Sequence, residues 1–178
     1  MSDASRSDQN LKLALIAGMI LLAALSRLVP HPWNFSPLEA MALFAGAHIG
    51  RRWVSMLVPL LALFVSDLFL GFYEGIWVTY LCFALIALAG RGLRNASATR
   101  IAVFGLASAT GFFIVSNFSV WALGTMYPHT AAGLLSCYVS AIPYFHNQLA
   151  GMAFYSLVLF GGFALVQRAR GEANTQPV

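Results

Sequence analysis

Long apolar runs separated by short polar breaks dominate the chain: Leu11 to Val29, Ser36 to Ile49, Trp53 to Phe72, Ile76 to Gly90, Ile101 to Leu123 and Asn147 to Val166. A hydrocarbon core about 30 Å thick takes about 20 helical residues to cross, so the pattern predicts transmembrane helices, six in all. The second and fourth runs are short. The second carries Glu39 and His48, which places it inside the bundle rather than against lipid. Lys12 followed by an apolar run and by Ala23 and Ala24 also fits a cleaved signal peptide, but most of the chain beyond this run is itself membrane, so an uncleaved first helix is simpler. The expected organisation is all-α. A cytoplasmic tail (1–10) precedes a polytopic membrane bundle of six transmembrane helices (11–166) and a second cytoplasmic tail (167–178), and the polar ends Met1 to Asn10 and Gly171 to Val178 are expected to be disordered.

Composition supports this reading. Of 178 residues, 60% are hydrophobic and only 9% charged, with a mean hydropathy of +0.76, too little polar surface for a water-soluble globule. Little chain remains for a soluble catalytic module, and the net charge of +4 reads as membrane topology rather than a nucleic-acid footprint. Basic residues concentrate in cytoplasmic loops. With both termini inside, Arg6, Lys12, Arg51, Arg52, Arg91, Arg94, Arg100, Arg168 and Arg170 are cytoplasmic and only Arg27 is outside. Glu39, Asp67 and Glu74 then fall toward an acidic outer side. Short loops and small size suit a bacterial inner membrane.

The outer polar groups are the candidates for chemistry. Asp67 lies about 7 Å below the outer end of its helix at 1.5 Å per residue, where an unpaired charge is costly, so it either clamps the bundle through Asn117 or lines a ligand cavity. Asn117 and Trp121 on the fifth helix and Trp77 and Cys82 on the fourth reach the same layer, while Asp67, Gly71 and Glu74 share one helical stripe. The proline-rich stretch Val29 to Pro37 presents His31, Trp33 and Asn34 as a rigid lid; Ser36 and Glu39 have the spacing of a capping box at the start of the second helix. The long connection Gly124 to His146 brings Tyr127, His129, Tyr138 and Tyr144, and its segment Thr130 to Ala141 suggests a short interfacial or re-entrant helix. His146, Asn147 and Gln148 open the sixth helix at the same level. Tyr73 and the tryptophans offer stacking surfaces. No histidine, cysteine and carboxylate spacing matches a compact metal site, and the two cysteines read as small apolar residues rather than a disulfide.

The stretches RLVPHPWNFSPLEAMALFAGAHIG (Arg27 to Gly50), SDLFLGFYEG (Ser66 to Gly75) and SNFSVW (Ser116 to Trp121) look like those of small bacterial six-helix membrane proteins. That family resembles the substrate-binding S components of energy-coupling-factor vitamin transporters, over about Leu11 to Val166. The resemblance implies a vitamin-type small-molecule ligand, cobalamin among the candidates, and an energising module as partner. It also implies Cys82 as the one position for a cobalt ligand in a bound cobalamin, the cobalamin being cargo rather than a resident cofactor. Docking of the energising partner is expected on small residues, Ala14 and Gly18 in the first helix or Gly46 and Gly50 in the second.

The leading expectation is therefore a membrane-embedded binding and uptake protein, more a carrier than an enzyme. Its ligand site draws on His31, Trp33, Asn34, Asp67, Tyr73, Trp77, Asn117, Trp121, His146 and Asn147. The alternatives are an intramembrane enzyme, with Asp67 or His31 as general base and Cys82 as nucleophile, and a non-catalytic scaffold.

Overall fold

Proline and glycine punctuate the chain where the apolar runs end. In the computed structural model, which describes residues 3–26 and 29–173, the helices are α1 (Asp3–Ser26), α2 (Leu38–His48), α3 (Arg52–Leu70), α4 (Ile76–Gly90), α5 (Ala98–Leu123), α6 (Ala131–Ser156) and α7 (Gly162–Ala173). The prolines at 30, 32 and 37 keep the α1–α2 connection out of a helix. Gly71 and Gly75, at φ of 94° and 78°, make the α3–α4 turn in a region that a Cβ would disfavour. Ser97 caps α5 by accepting from Arg100 N at 3.3 Å, and Thr130 caps α6 by accepting from Gly133 N at 3.1 Å.

Two boundaries differ from the sequence expectation. Residues 3–10 continue α1 rather than forming an unstructured tail, and residues 171–173 continue α7. The segment Thr130 to Ala141 is not a separate interfacial helix; it is the first part of α6, which runs on through Pro143. Pro143 is exposed, so its ring displaces no packed neighbour and the helix gives up little beyond one backbone hydrogen bond. At Leu157–Gly161 a π-helical turn carries α6 into α7. The resulting rod, Ala131–Ala169, has 39 residues and is about 58 Å long, roughly twice the hydrocarbon thickness. Arg27, residues 1–2 and residues 174–178 lie outside the described residues.

Four stretches, Arg52–Leu70, Ile76–Leu93, Ala98–Leu123 and Ala131–Ala169, are long and apolar enough to cross a membrane. Leu57, Leu61, Leu85, Leu106 and Val139 stand exposed on them. Such a continuous apolar surface suits lipid, not water.

Helix α2 is different in kind. It has 11 residues, about 16 Å of helix, too short to cross by itself. Everything from Leu38 to Ala47 is buried, and α1, α3, α4, α5 and α6 all pack against it. The second run therefore lies inside the bundle, as its polar residues predict. Its tight contact with α4 depends on two glycines: a Cβ on Gly46 would strike Ala87 O and Gly90 Cα, and a Cβ on Gly90 would strike the Leu43 backbone. Gly46 is therefore spent on internal packing and offers no docking face. Gly18 on α1 faces open space.

Charge divides the two ends. Arg91 Nη1 donates to Gly50 O at 3.2 Å, the Arg100 guanidinium lies 5.7 Å over the Phe104 ring, and Arg168 lies across a groove from Ala96 and Ala98. Arg51, Arg52, Arg91, Arg94, Arg100 and Arg168 thus share one end of the bundle. The α1–α2 and α3–α4 connections and the last turn of α5 converge at the other, where Asn34, Tyr73 and Val120 line one cavity.

Candidate functional site

The shortness of α2 leaves space above its N-terminus, and a cavity fills that space. It has a volume of about 510 Å³. Its floor is Leu38 and Glu39 of α2, its walls include Leu63, Leu70, Phe83, Phe112 and Gln148, and its rim is Val29 to Ser36 of the α1–α2 connection. A smaller compartment of about 230 Å³ adjoins it toward α5 and α6, lined by Glu74, Ser116, Asn117, Ser119 and Tyr144 among others. Asn34, Tyr73, Thr79, Phe112 and Gln148 line both, so the two compartments are continuous. Among the described residues, no Lys or Arg lines either compartment.

The rim is held in place rather than loose. Phe35 N donates to Pro32 O at 3.0 Å, closing a turn in which Asn34 takes a φ of 63°. Asn147 Nδ2 donates to Trp33 O at 3.0 Å. Gly151 of α6 lets the Phe35–Ser36 backbone approach closely, since a Cβ there would fall 2.9 Å from Ser36 N. The Phe35 ring packs 5.8 Å from Phe154 and 5.7 Å from Tyr155. Anchored this way, the loop presents the Trp33 indole 79% exposed above the cavity. Across the mouth, Tyr73 Oη and Thr79 Oγ1 lie 2.6 Å apart.

At the base, Gln148 Nε2 donates to Glu39 Oε1 at 2.5 Å and to Ala109 O at 2.9 Å, joining α6 to α2 and α5. Both partners are acceptors, so the amide nitrogen rather than its oxygen faces them. Glu39 is 4% exposed, and among the described residues no Lys or Arg lines the cavity beside it. Ser36 Oγ accepts from Leu38 N at 3.4 Å, but Pro37 occupies the N-cap position in a helical conformation and the Glu39 side chain turns away. The expected capping box does not form.

Of the ten residues expected to bind a ligand, five line the two compartments: His31, Trp33, Asn34, Tyr73 and Asn117. Asn147 acts behind the rim by holding Trp33. Asp67 lines neither compartment. It is 3% exposed, and Tyr80 Oη of α4 donates to its Oδ2 at 2.9 Å, so it clamps α3 to α4. Asn117, the partner expected for that acid, instead donates to Phe113 O of its own helix at 2.7 Å. Trp77 is 61% exposed and His146 is exposed; Trp121 Nε1 donates to Pro128 O at 2.9 Å. Trp77, Trp121 and His146 line neither compartment. Cys82 is buried beside the cavity-lining Phe83 without lining the cavity, and both Cys82 and Cys137 are free thiols. Thr79, Phe83 and Phe112 are among the lining residues that sequence reasoning passed over, and Glu39 and Gln148 were placed toward the outer side without being assigned to the ligand. For Glu39 the signal was present, a carboxyl in a continuous apolar run, but the capping spacing explained it away.

None of the curated proteins or solved structures compared with this chain matches it. Residues 7–174 match the family of unknown function DUF6580, and the chain belongs to that family.

Proposed function

We propose that this protein is a membrane-embedded binding and uptake protein of the S-component kind, which receives a small molecule in the cavity above α2. One observation carries the reading: a cavity of about 510 Å³, apolar-walled, ends on a buried carboxyl and amide at the end of the bundle opposite Arg51, Arg52, Arg91, Arg94, Arg100 and Arg168. Ligand sites are concave and mostly apolar, with a few convergent polar groups, and fall in about this size range. On the positive-inside rule the arginine end is cytoplasmic and the cavity opens outward, with both termini inside and α2 serving as a short enclosed crossing. A bacterial inner membrane suits this arrangement.

The size favours a drug-sized or smaller solute. A corrinoid is larger than the drug-sized ligands such a cavity suits, and Cys82 does not line it, so cobalamin is the weakest of the vitamin-type candidates. Below the cavity the α2 core of Met41, Leu43 and Phe44 is fully buried and apolar. Release to the inner side therefore calls for rearrangement or an energising partner. The open face of α1 around Gly18 is where a second membrane helix could approach.

The test is gentle purification in detergent, followed by mass spectrometry for a stoichiometric small molecule and uptake of that molecule into vesicles. The expected result is one bound solute per chain, lost on substitution of cavity residues. Uptake and binding unaffected by Trp33→Ala, Tyr73→Ala and Phe112→Ala together would overturn the reading.

A further inference from the structure

Glu39 accepts the Gln148 amide through Oε1 alone. Among the described residues no buried side-chain oxygen or nitrogen lacks a hydrogen-bond partner, and Glu39 Oε2 and Gln148 Oε1 take no hydrogen bond, so both oxygens must be open to the cavity. Two acceptor atoms from residues 4% and 6% exposed therefore look into the chamber without accepting a hydrogen bond from the described residues. Leaving such groups unpaired in a low-dielectric site is costly, and a ligand that donates to them relieves the cost.

The walls specify the donor further. Phe83 and Phe112, whose ring centroids lie 5.2 Å apart, stand with Tyr73 and Trp33 around the chamber, and Glu74 adds a second carboxylate at the mouth. Aromatic faces attract cations, and acids without basic neighbours do the same. The N-terminus of α2 opposes this with roughly half a positive charge, which a carboxylate paired with a bound ammonium exceeds. An anionic solute, in contrast, would meet two acids and, among the described residues, no Lys or Arg.

Resting on the solute-binding reading above, we propose that the ligand is a small organic amine, whose ammonium N–H groups donate to Glu39 Oε2 and Gln148 Oε1 while its apolar body packs on Phe83 and Phe112.

The test measures equilibrium binding of three probes of one size to the full-length protein in detergent: 2-phenylethylammonium, neutral 2-phenylethanol and anionic phenylacetate. The wild-type protein is expected to prefer the ammonium over both others by about tenfold or more, the scale of one charge-assisted hydrogen bond. Glu39→Gln should erase that preference while 2-phenylethanol binds as before, whereas Glu74→Gln, which removes only the acid at the mouth, should weaken it in part. Equal binding of the three, a preference for phenylacetate, or an ammonium preference that survives Glu39→Gln overturns the proposal. If Glu39→Gln does not fold, the wild-type ranking decides. Binding of the alcohol or the acid in the cavity would sink the amine assignment and leave the solute-binding reading standing. A folded protein that binds no probe also sinks the amine assignment, and the purified-solute experiment then decides the broader reading separately.

Discussion

Glu39 and Gln148, 109 positions apart in the chain, meet through a carboxyl oxygen and an amide nitrogen 2.5 Å apart. The same amide reaches Ala109 O, so one side chain ties three helices together at the floor of the cavity. The contact that fixes the bundle is therefore also the contact that shapes the site.

Removing the amide should be expensive. Gln148→Leu leaves the buried Glu39 Oε1 without its partner and breaks the added bond to Ala109 O, and is expected to lower stability by about 1–3 kcal/mol. Asn147→Ala, next in the chain, gives up only a partly exposed bond to Trp33 O and should cost about 1 kcal/mol or less. Thermal melts in detergent rank the two variants, and the opposite ranking would contradict the placement of Gln148.

Asp67 and Tyr80 form a structural clamp rather than part of the site. Tyr80→Phe should destabilise by about 1.5–3 kcal/mol, the range for a hydrogen bond to a charged group, while solute affinity changes less than about twofold because neither Tyr80 nor Asp67 lines the cavity. A loss of binding out of proportion to the loss of stability would return Asp67 to the cavity.

The glycine contact between α2 and α4 makes a sharper contrast. Gly90→Leu forces a side chain into the Leu43 backbone and should cost at least about 1–3 kcal/mol, enough to deplete folded protein in the membrane. Gly18→Leu, on an open face, should leave the melting temperature unchanged. Equal tolerance of both substitutions would mean that α2 does not sit against α4 as described.

Sidedness can be read by thiol labelling, since Cys82 and Cys137 are both buried and give little background. A membrane-impermeant maleimide applied to intact cells should modify His31→Cys and spare Arg94→Cys, and inverted vesicles should reverse the pattern. Labelling of both from one side would refute the assignment of the two ends.

Much of this bundle was legible in the sequence. The run Ile76 to Gly90 is α4 to the residue, and the interior place of the second run followed from Glu39 and His48, because hydropathy and intramembrane charge report directly on lipid contact. The start of α6 was hidden because Thr130 to Ala141 mixes Ser, Tyr and Cys with apolar residues and Pro143 comes soon after, which reads as a break. The rim residues His31, Trp33 and Asn34 were recognisable because prolines left them no helical role. Asp67 and Glu39 were not separable by pattern: each is one acid in an apolar helix. Which of the two faces the cavity depends on long-range partners, Tyr80 for one and Gln148 for the other.

The most direct measurement is native mass spectrometry of the gently purified protein beside a Thr79→Trp variant, whose indole would fill the space common to both compartments. A solute of small mass bound one to one by the wild-type protein and missing from the folded variant is the predicted result. A wild-type protein that never carries or accepts a solute, or a variant that carries it equally well, would contradict the claim that the space above α2 is a binding site.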